Sequence, residues 1–182
     1  MPLYFAYGSN MDLAAMAQRC PASQPLGIAR LMRHRFFIMA SGYASVARDP
    51  ARAVHGVLWN VALRDVAGLD AYEESARGLF RKAIQPVLSP GGAKRALIYL
   101  GAETRPGNPL PGYMEGVLAA AKHWKLPTAY VRELAALTPA GGRVPAPAAA
   151  AAKTVRPRFE TPFDQRQADL WHAGGSAARK PA

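Results

Sequence analysis

The sequence predicts an α+β fold, and three observations carry that expectation. Short apolar or aromatic stretches of strand length recur over the first hundred residues, bounded by Gly, Pro and Asp. Helical periodicity is inserted among them at irregular places, unlike a regular βαβ series. Finally, SPGGA (89–93) separates two such stretches, and its Pro and Gly supply a hairpin turn.

Taken in order, residues 3–7 are aromatic and weakly alternating, the pattern of a first strand. Asn10 or Asp12 can cap a helix reaching about Arg19, with Leu13, Met16 and Ala17 on one face. Residues 27–31 and 35–39 are expected as short strands. So are 44–47 and 54–60, split by a polar turn, RDPAR. Leu63, Val66, Leu69 and Tyr72 recur every third residue, predicting a helix over 62–72. Residues 80–88 and 94–100 form the hairpin, and GAETRPGNPLP (101–111) a loop. Two helices, 113–124 and 128–137, follow, separated by Pro127, with Thr128 as the expected cap of the second.

After Leu137 the composition changes to TPAGGRVPAPAAAAAK and then to a mixed polar stretch. The expected division is a folded domain over 1–138 and a basic Pro/Ala-rich tail over 139–182, extended or poorly ordered. Within that tail PFDQRQADLW could form one short docking helix.

The chain carries 23 Lys and Arg against 12 Asp and Glu, a net charge of +11. Residues 153–182 contribute six of those cations and three of the acids, so most of the excess belongs to the rest. Such charge suits an anionic small molecule drawn into a cleft, or a solvated surface. Neither an RNA-binding aromatic motif, zinc-finger spacing nor an arginine-rich block is present, so nucleic acid is not the expected partner. No apolar run reaches the roughly 18–20 residues of a membrane span. The N-terminal stretch lacks secretory-signal features. One cysteine, Cys20, allows no disulfide framework, and a cytoplasmic location fits best. His34, His55, His123 and His172 share no ligand spacing, so no metal site is expected.

Two stretches can carry chemistry. YGSN (7–10) joins the first strand to the first helix. A glycine turn ahead of a helix start presents unpaired N–H groups suited to a carboxylate or phosphate. Ser9 and Asn10 could equally serve only as caps. LDAYEES (69–75) places Glu73 and Glu74 at the end of an apolar helix face, about 100° apart around the axis. One of them turned toward apolar walls would have a raised pKa and could shuttle protons near neutrality. Spacing alone leaves open which of the two faces inward.

Together these stretches resemble the γ-glutamylcyclotransferase family. YFAYGSN, Tyr4 to Asn10, matches the family's opening. Trp59, Leu69, Asp70 and Glu73 match its strand and acidic helix end, and PGYMEGVLAAAKHWKLPTAYVREL (111–134) its tyrosine-led helix pair. The resemblance spans roughly residues 2–140 and implies a small mixed β-barrel surrounded by helices. It implies Glu73, not Glu74, as the catalytic acid–base. It also implies substrate contacts from Tyr4, Phe5, Ala6, Tyr7, Gly8, Ser9 and Tyr113. Some members carry a tyrosine where this chain has Phe80. The glutathione-specific branch usually has Leu in place of Asn10, so that branch is not the expected one.

The implied reaction closes a γ-glutamyl group on itself, giving 5-oxoproline and a free amine or amino acid without a cofactor. The YGSN turn would hold either the substrate α-carboxylate or the developing oxyanion. The partner would be a small-molecule γ-glutamyl compound, with monomer and dimer both open. The alternative is a ligand-binding or interaction domain on the same scaffold that has lost its chemistry.

Overall fold

A computed structural model describes residues 1–73 and 78–138, which lie within one unit, Met1–Pro145. Strand β1 (Leu3–Ala6) leads through a 3-10 turn (Ser9–Met11) into helix α1 (Leu13–Arg19). Two long strands follow, β2 (Gln24–Ile38) and β3 (Ala44–Asn60). A 3-10 turn (Leu63–Asp65) opens directly into α2 (Val66–Tyr72). The hairpin β4 (Phe80–Ser89) and β5 (Gly92–Gly101) precedes α3 (Tyr113–His123) and α4 (Thr128–Ala135).

The five strands close into a barrel in the order β1-β3-β2-β4-β5. β1 runs antiparallel to β3, with Tyr4 opposite Trp59, and parallel to β5, with Tyr4 opposite Leu97. The sheet is therefore mixed, and closure removes its edges. The expected α+β fold with a small mixed β-barrel and surrounding helices is what the chain forms.

Two expected interruptions are absent as breaks. The stretches 27–31 and 35–39 are one strand, and 44–47 and 54–60 are another, so RDPAR is not a turn between strands. Instead His34 pairs with Arg48 and Met32 with Ala53, leaving residues 49–52 opposite Arg33 alone. Pro50 has no N–H for the ladder, so this segment bulges out while pairing resumes on either side. Arg33 absorbs the mismatch with φ +59°.

The core runs from the barrel interior to the helices. Phe5, Leu31, Val54, Ile98 and Tyr99 are buried within it, as are Met11, Met16, Leu69, Met114 and Leu134. Gly56 lets β1 come close, because a Cβ there would stand 2.2 Å from the Ala6 carbonyl oxygen. On α3, Met114, Val117 and Ala121 recur at helical spacing and are buried. The Trp124 indole just beyond α3 donates to the Met11 carbonyl at 2.8 Å, tying that helix to the turn after β1. The start of α2 is tied as firmly. Asp65, itself buried, accepts from Ala22 N at 2.9 Å and Ser23 Oγ at 2.7 Å. Ser23 Oγ in turn accepts from Ala62 N. Cys20 packs there, its thiol pushed up to about 11 by burial and by Asp65, so it is inert filler.

Capping also differs from expectation in part. Asp12 caps α1, accepting from Ala15 N at 2.7 Å. Thr128 is the first residue of α4 rather than its cap, a place taken by Pro127. The expected tail over 139–182, its docking helix included, lies outside the described residues, as does Glu74.

Candidate active site

β1 delivers Tyr4 and Tyr7 to one end of the barrel, and α2 delivers Glu73 to the same place. Glu73 caps α2, its N–H bonding the Leu69 carbonyl at 3.0 Å, so its side chain leaves the helix where the axis stops. The apolar anchor of that helix, Leu69, is fully buried. Glu73 itself is half-buried. One of its oxygens, Oε1, accepts from Asn10 Nδ2 at 2.8 Å and from Tyr4 Oη at 3.4 Å. Asn10 Nδ2 also donates to Tyr4 Oη at 3.0 Å.

These groups face a pocket of about 300 Å³. Its rim and walls add Gly8, Ser9, Tyr7 and Tyr113 to Tyr4, Asn10 and Glu73, with Ala44, Phe80 and Tyr99 completing it. The resemblance-based set thus converges on one cavity with two exceptions. Phe5 and Ala6 are fully buried and do not line it.

Burial pushes the Glu73 carboxyl up to about 7. The Arg19 cation and the hydrogen bonds from Tyr4 and Asn10 pull the other way and do not cancel it. The tyrosines respond in the opposite functional sense. Burial raises Tyr4, Tyr7, Tyr99 and Tyr113 well above the ordinary phenol value, with the Glu73 charge adding to it. Each therefore stays a neutral hydroxyl. The pocket offers one carboxyl poised between its two forms amid hydroxyls that do not titrate.

The YGSN segment works differently from a helix cap. Gly8 has φ −115°, so positive φ is not what the position requires. A Cβ there would stand 2.9 Å from the Tyr113 hydroxyl, and close approach is the reason for glycine. Asp12 already satisfies the α1 start, so Ser9 and Asn10 are released for other work. Ser9 Oγ lies 3.1 Å from Tyr72 Oη, and Asn10 turns to Glu73. The Ser9 and Asn10 N–H groups precede the turn's first internal bond, from Met11 N to the Gly8 carbonyl.

The profile of the AIG2-like family matches residues 53–134. Over 150 residues the chain is 27% identical to the γ-glutamylcyclotransferases of Homo sapiens and Mus musculus, a stretch covering 75% of this chain and 79% of each relative. A solved structure titled γ-glutamyl cyclotransferase superposes with a TM-score of 0.72 at 24% identity, over 79% of this chain and 92% of that one.

The chain is similar to γ-glutamylcyclotransferases in sequence and shares their fold.

Two features of this pocket escape sequence reasoning. Tyr99 lines it from β5, where its Oη donates to Asp70 Oδ1 at 2.5 Å and its backbone carbonyl accepts from Tyr7 Oη at 2.6 Å. The parallel pairing of β5 with β1 brings it there, and no local signal announces that pairing. Arg19 reaches Asn10 Oδ1 from the last turn of α1. Basic residues are common at helix ends, which hides this one. Among the described residues no three His, Cys, Asp or Glu side chains converge as metal ligands would. No helix there is long and apolar enough to cross a membrane.

Proposed function

We propose that the protein is a γ-glutamylcyclotransferase, converting a γ-glutamyl-amino acid or γ-glutamyl-amine into 5-oxoproline and the free amine. The observation that carries this reading is the Glu73 carboxyl, pushed up to about 7 within a pocket of neutral hydroxyls beside the Gly8–Asn10 turn.

The chemistry needs a proton removed, a proton returned and a negative oxygen steadied. Glu73 takes a proton from the substrate α-ammonium. The freed amine attacks the γ-carbonyl carbon, closing a five-membered ring. The oxygen becomes negative, and an N–H of the Gly8–Asn10 turn would steady it. Glu73 then gives its proton to the leaving nitrogen, and the C–N bond breaks. The restored carboxylate takes the second proton from the ring nitrogen, leaving the neutral lactam, and passes it to the freed amine, which departs as an ammonium; neither water nor an oxidant is consumed. Base and acid catalysis of this kind contributes about 10²–10⁴-fold, and one oxyanion donor roughly 3–4 kcal/mol. Tyr4, Tyr7 and Tyr113 would hold the flexible glutamyl chain bent on itself. Such positioning can supply up to about 7–11 kcal/mol.

A panel of γ-glutamyl-amino acids and γ-glutamyl-amines, assayed for 5-oxoproline, tests the reading. Release from at least one class is the expected result. Binding of γ-glutamyl compounds without turnover of any would identify a ligand-binding domain instead.

A further inference from the structure

Asn10 is only 2% exposed, and its amide must satisfy two neighbours of opposite demand. The Glu73 carboxylate can only accept. The Arg19 guanidinium can only donate. Arg19 Nη1 donates to Asn10 Oδ1, so the amide has one arrangement that serves both sides: oxygen to Arg19, NH₂ to Glu73 and Tyr4. Arg19 is itself held, its guanidinium carbon stacked 3.5 Å from the centroid of the Tyr72 ring. Tyr72 is fixed in turn near Ser9 Oγ.

We propose that Arg19 is a positioning residue, whose bond to Asn10 Oδ1 locks the amide as a donor to Glu73 in both protonation states of that carboxyl. The need arises within the reaction cycle. Once Glu73 has taken the substrate proton, its O–H would favour an amide turned the other way, with Oδ1 accepting. That flip would trap the proton on Glu73 just when it must pass to the leaving nitrogen. With Arg19 in place the flip would leave two donors facing each other, so the amide stays put and the protonated carboxyl gains no acceptor from Asn10. The catalytic consequence rests on the reading of Glu73 as proton carrier. The locking itself does not.

The groups around Glu73 agree on the direction. The hydroxyls of Tyr4, Tyr7, Tyr99 and Tyr113 stay neutral. Asp70, three residues earlier, is engaged by Lys82 and Tyr99. Arg19 is the cation that lowers the Glu73 proton affinity. Removing it should raise that affinity twice over, by losing the charge and by freeing the amide to accept.

The test is a carboxyl ¹³C NMR titration of Glu73 in the full chain, assigned with Glu73→Gln and needing no substrate. Arg19→Met should move the midpoint upward by about 1 unit or more, and Arg19→Lys should restore much of it. Arg19→Gln keeps a neutral donor to Asn10 Oδ1, so its midpoint should fall between wild type and Arg19→Met. Midpoints in Met and Gln variants that match wild type would overturn the proposal. A Gln variant matching Met would overturn the amide lock and leave only a charge effect. Where a cyclotransferase substrate is found, the acid limb of kcat should move in step with these midpoints. If none is found the proposed function fails, while the titration still decides the role of Arg19.

Discussion

The Tyr99 hydroxyl donates to the Asp70 carboxylate at 2.5 Å, and so fastens the end of α2 to the barrel three residues before Glu73. Lys82 meets the other oxygen of Asp70 at 2.5 Å, but its side chain is 39% exposed. The two ties differ in worth. A hydrogen bond to a charged, partly buried group contributes about 1.5–3 kcal/mol, whereas exposed ion pairs contribute about 0–1 kcal/mol. Tyr99→Phe should therefore lower the melting temperature by several degrees, at about 2–4 °C per kcal/mol for a chain of this size. Lys82→Ala should shift it by less. Thermal unfolding of the two variants side by side checks the order.

Glu73 should make stability fall with rising pH. Its carboxyl has an ordinary value of 4.5 when unfolded and about 7 when folded. Between those values the folded chain holds a proton that the unfolded chain releases. Its contribution is full below about pH 4.5 and lost as pH rises through about 7. Glu73→Gln removes that dependence. The variant should gain melting temperature relative to wild type between pH 5 and pH 8, measured as the difference between the two unfolding curves. A constant difference across this range would contradict the raised value.

Gly8→Ala places a methyl 2.9 Å from the Tyr113 hydroxyl. Tyr113 is also held by Ala44 N at 3.2 Å, so it must tilt and leave that donor. Misplacing a group at a reacting centre by about 1 Å can cost up to about 10²-fold. The expected outcome is a fall in kcat/KM much larger than the accompanying change in melting temperature. The double variant Gly8→Ala with Tyr113→Phe should recover little, since the displaced group would be removed rather than restored.

A chain ending at residue 138 should fold and keep the site. Every pocket-lining residue precedes that point, as does the α4 core residue Leu134. Circular dichroism and turnover of the shortened protein should match the full chain. Loss of folding would place part of the core within 139–182.

Much of this was legible in the chain, and the misses have physical causes. The strand composition and SPGGA announced β4 and β5, and α1 and α2 followed from three- and four-residue spacing. Barrel closure was not visible in local patterns, because the β1–β5 pairing joins residues some ninety apart and rests on the tertiary fold. RDPAR carried turn chemistry, yet long pairing on both sides overrode it and made a bulge. Glu73 sat in plain view beside Glu74, but only the resemblance chose between them. Asn10 was visible as a cap or branch marker. Its bond to Glu73 needs the end of α2 brought against the β1 turn, which Leu69 and Asp65 accomplish at a distance. Phe5 and Ala6 show the converse: they lie within the matching motif, yet packing takes them out of the pocket wall.

Release of 5-oxoproline by wild type and by Glu73→Gln, compared on the same γ-glutamyl substrate, reaches the central claim most directly. Wild type should turn over, while Glu73→Gln stays folded, keeps binding the substrate and loses turnover by at least about 10²-fold. Undiminished turnover in folded Glu73→Gln would contradict the assignment of the proton-carrying role to that carboxyl.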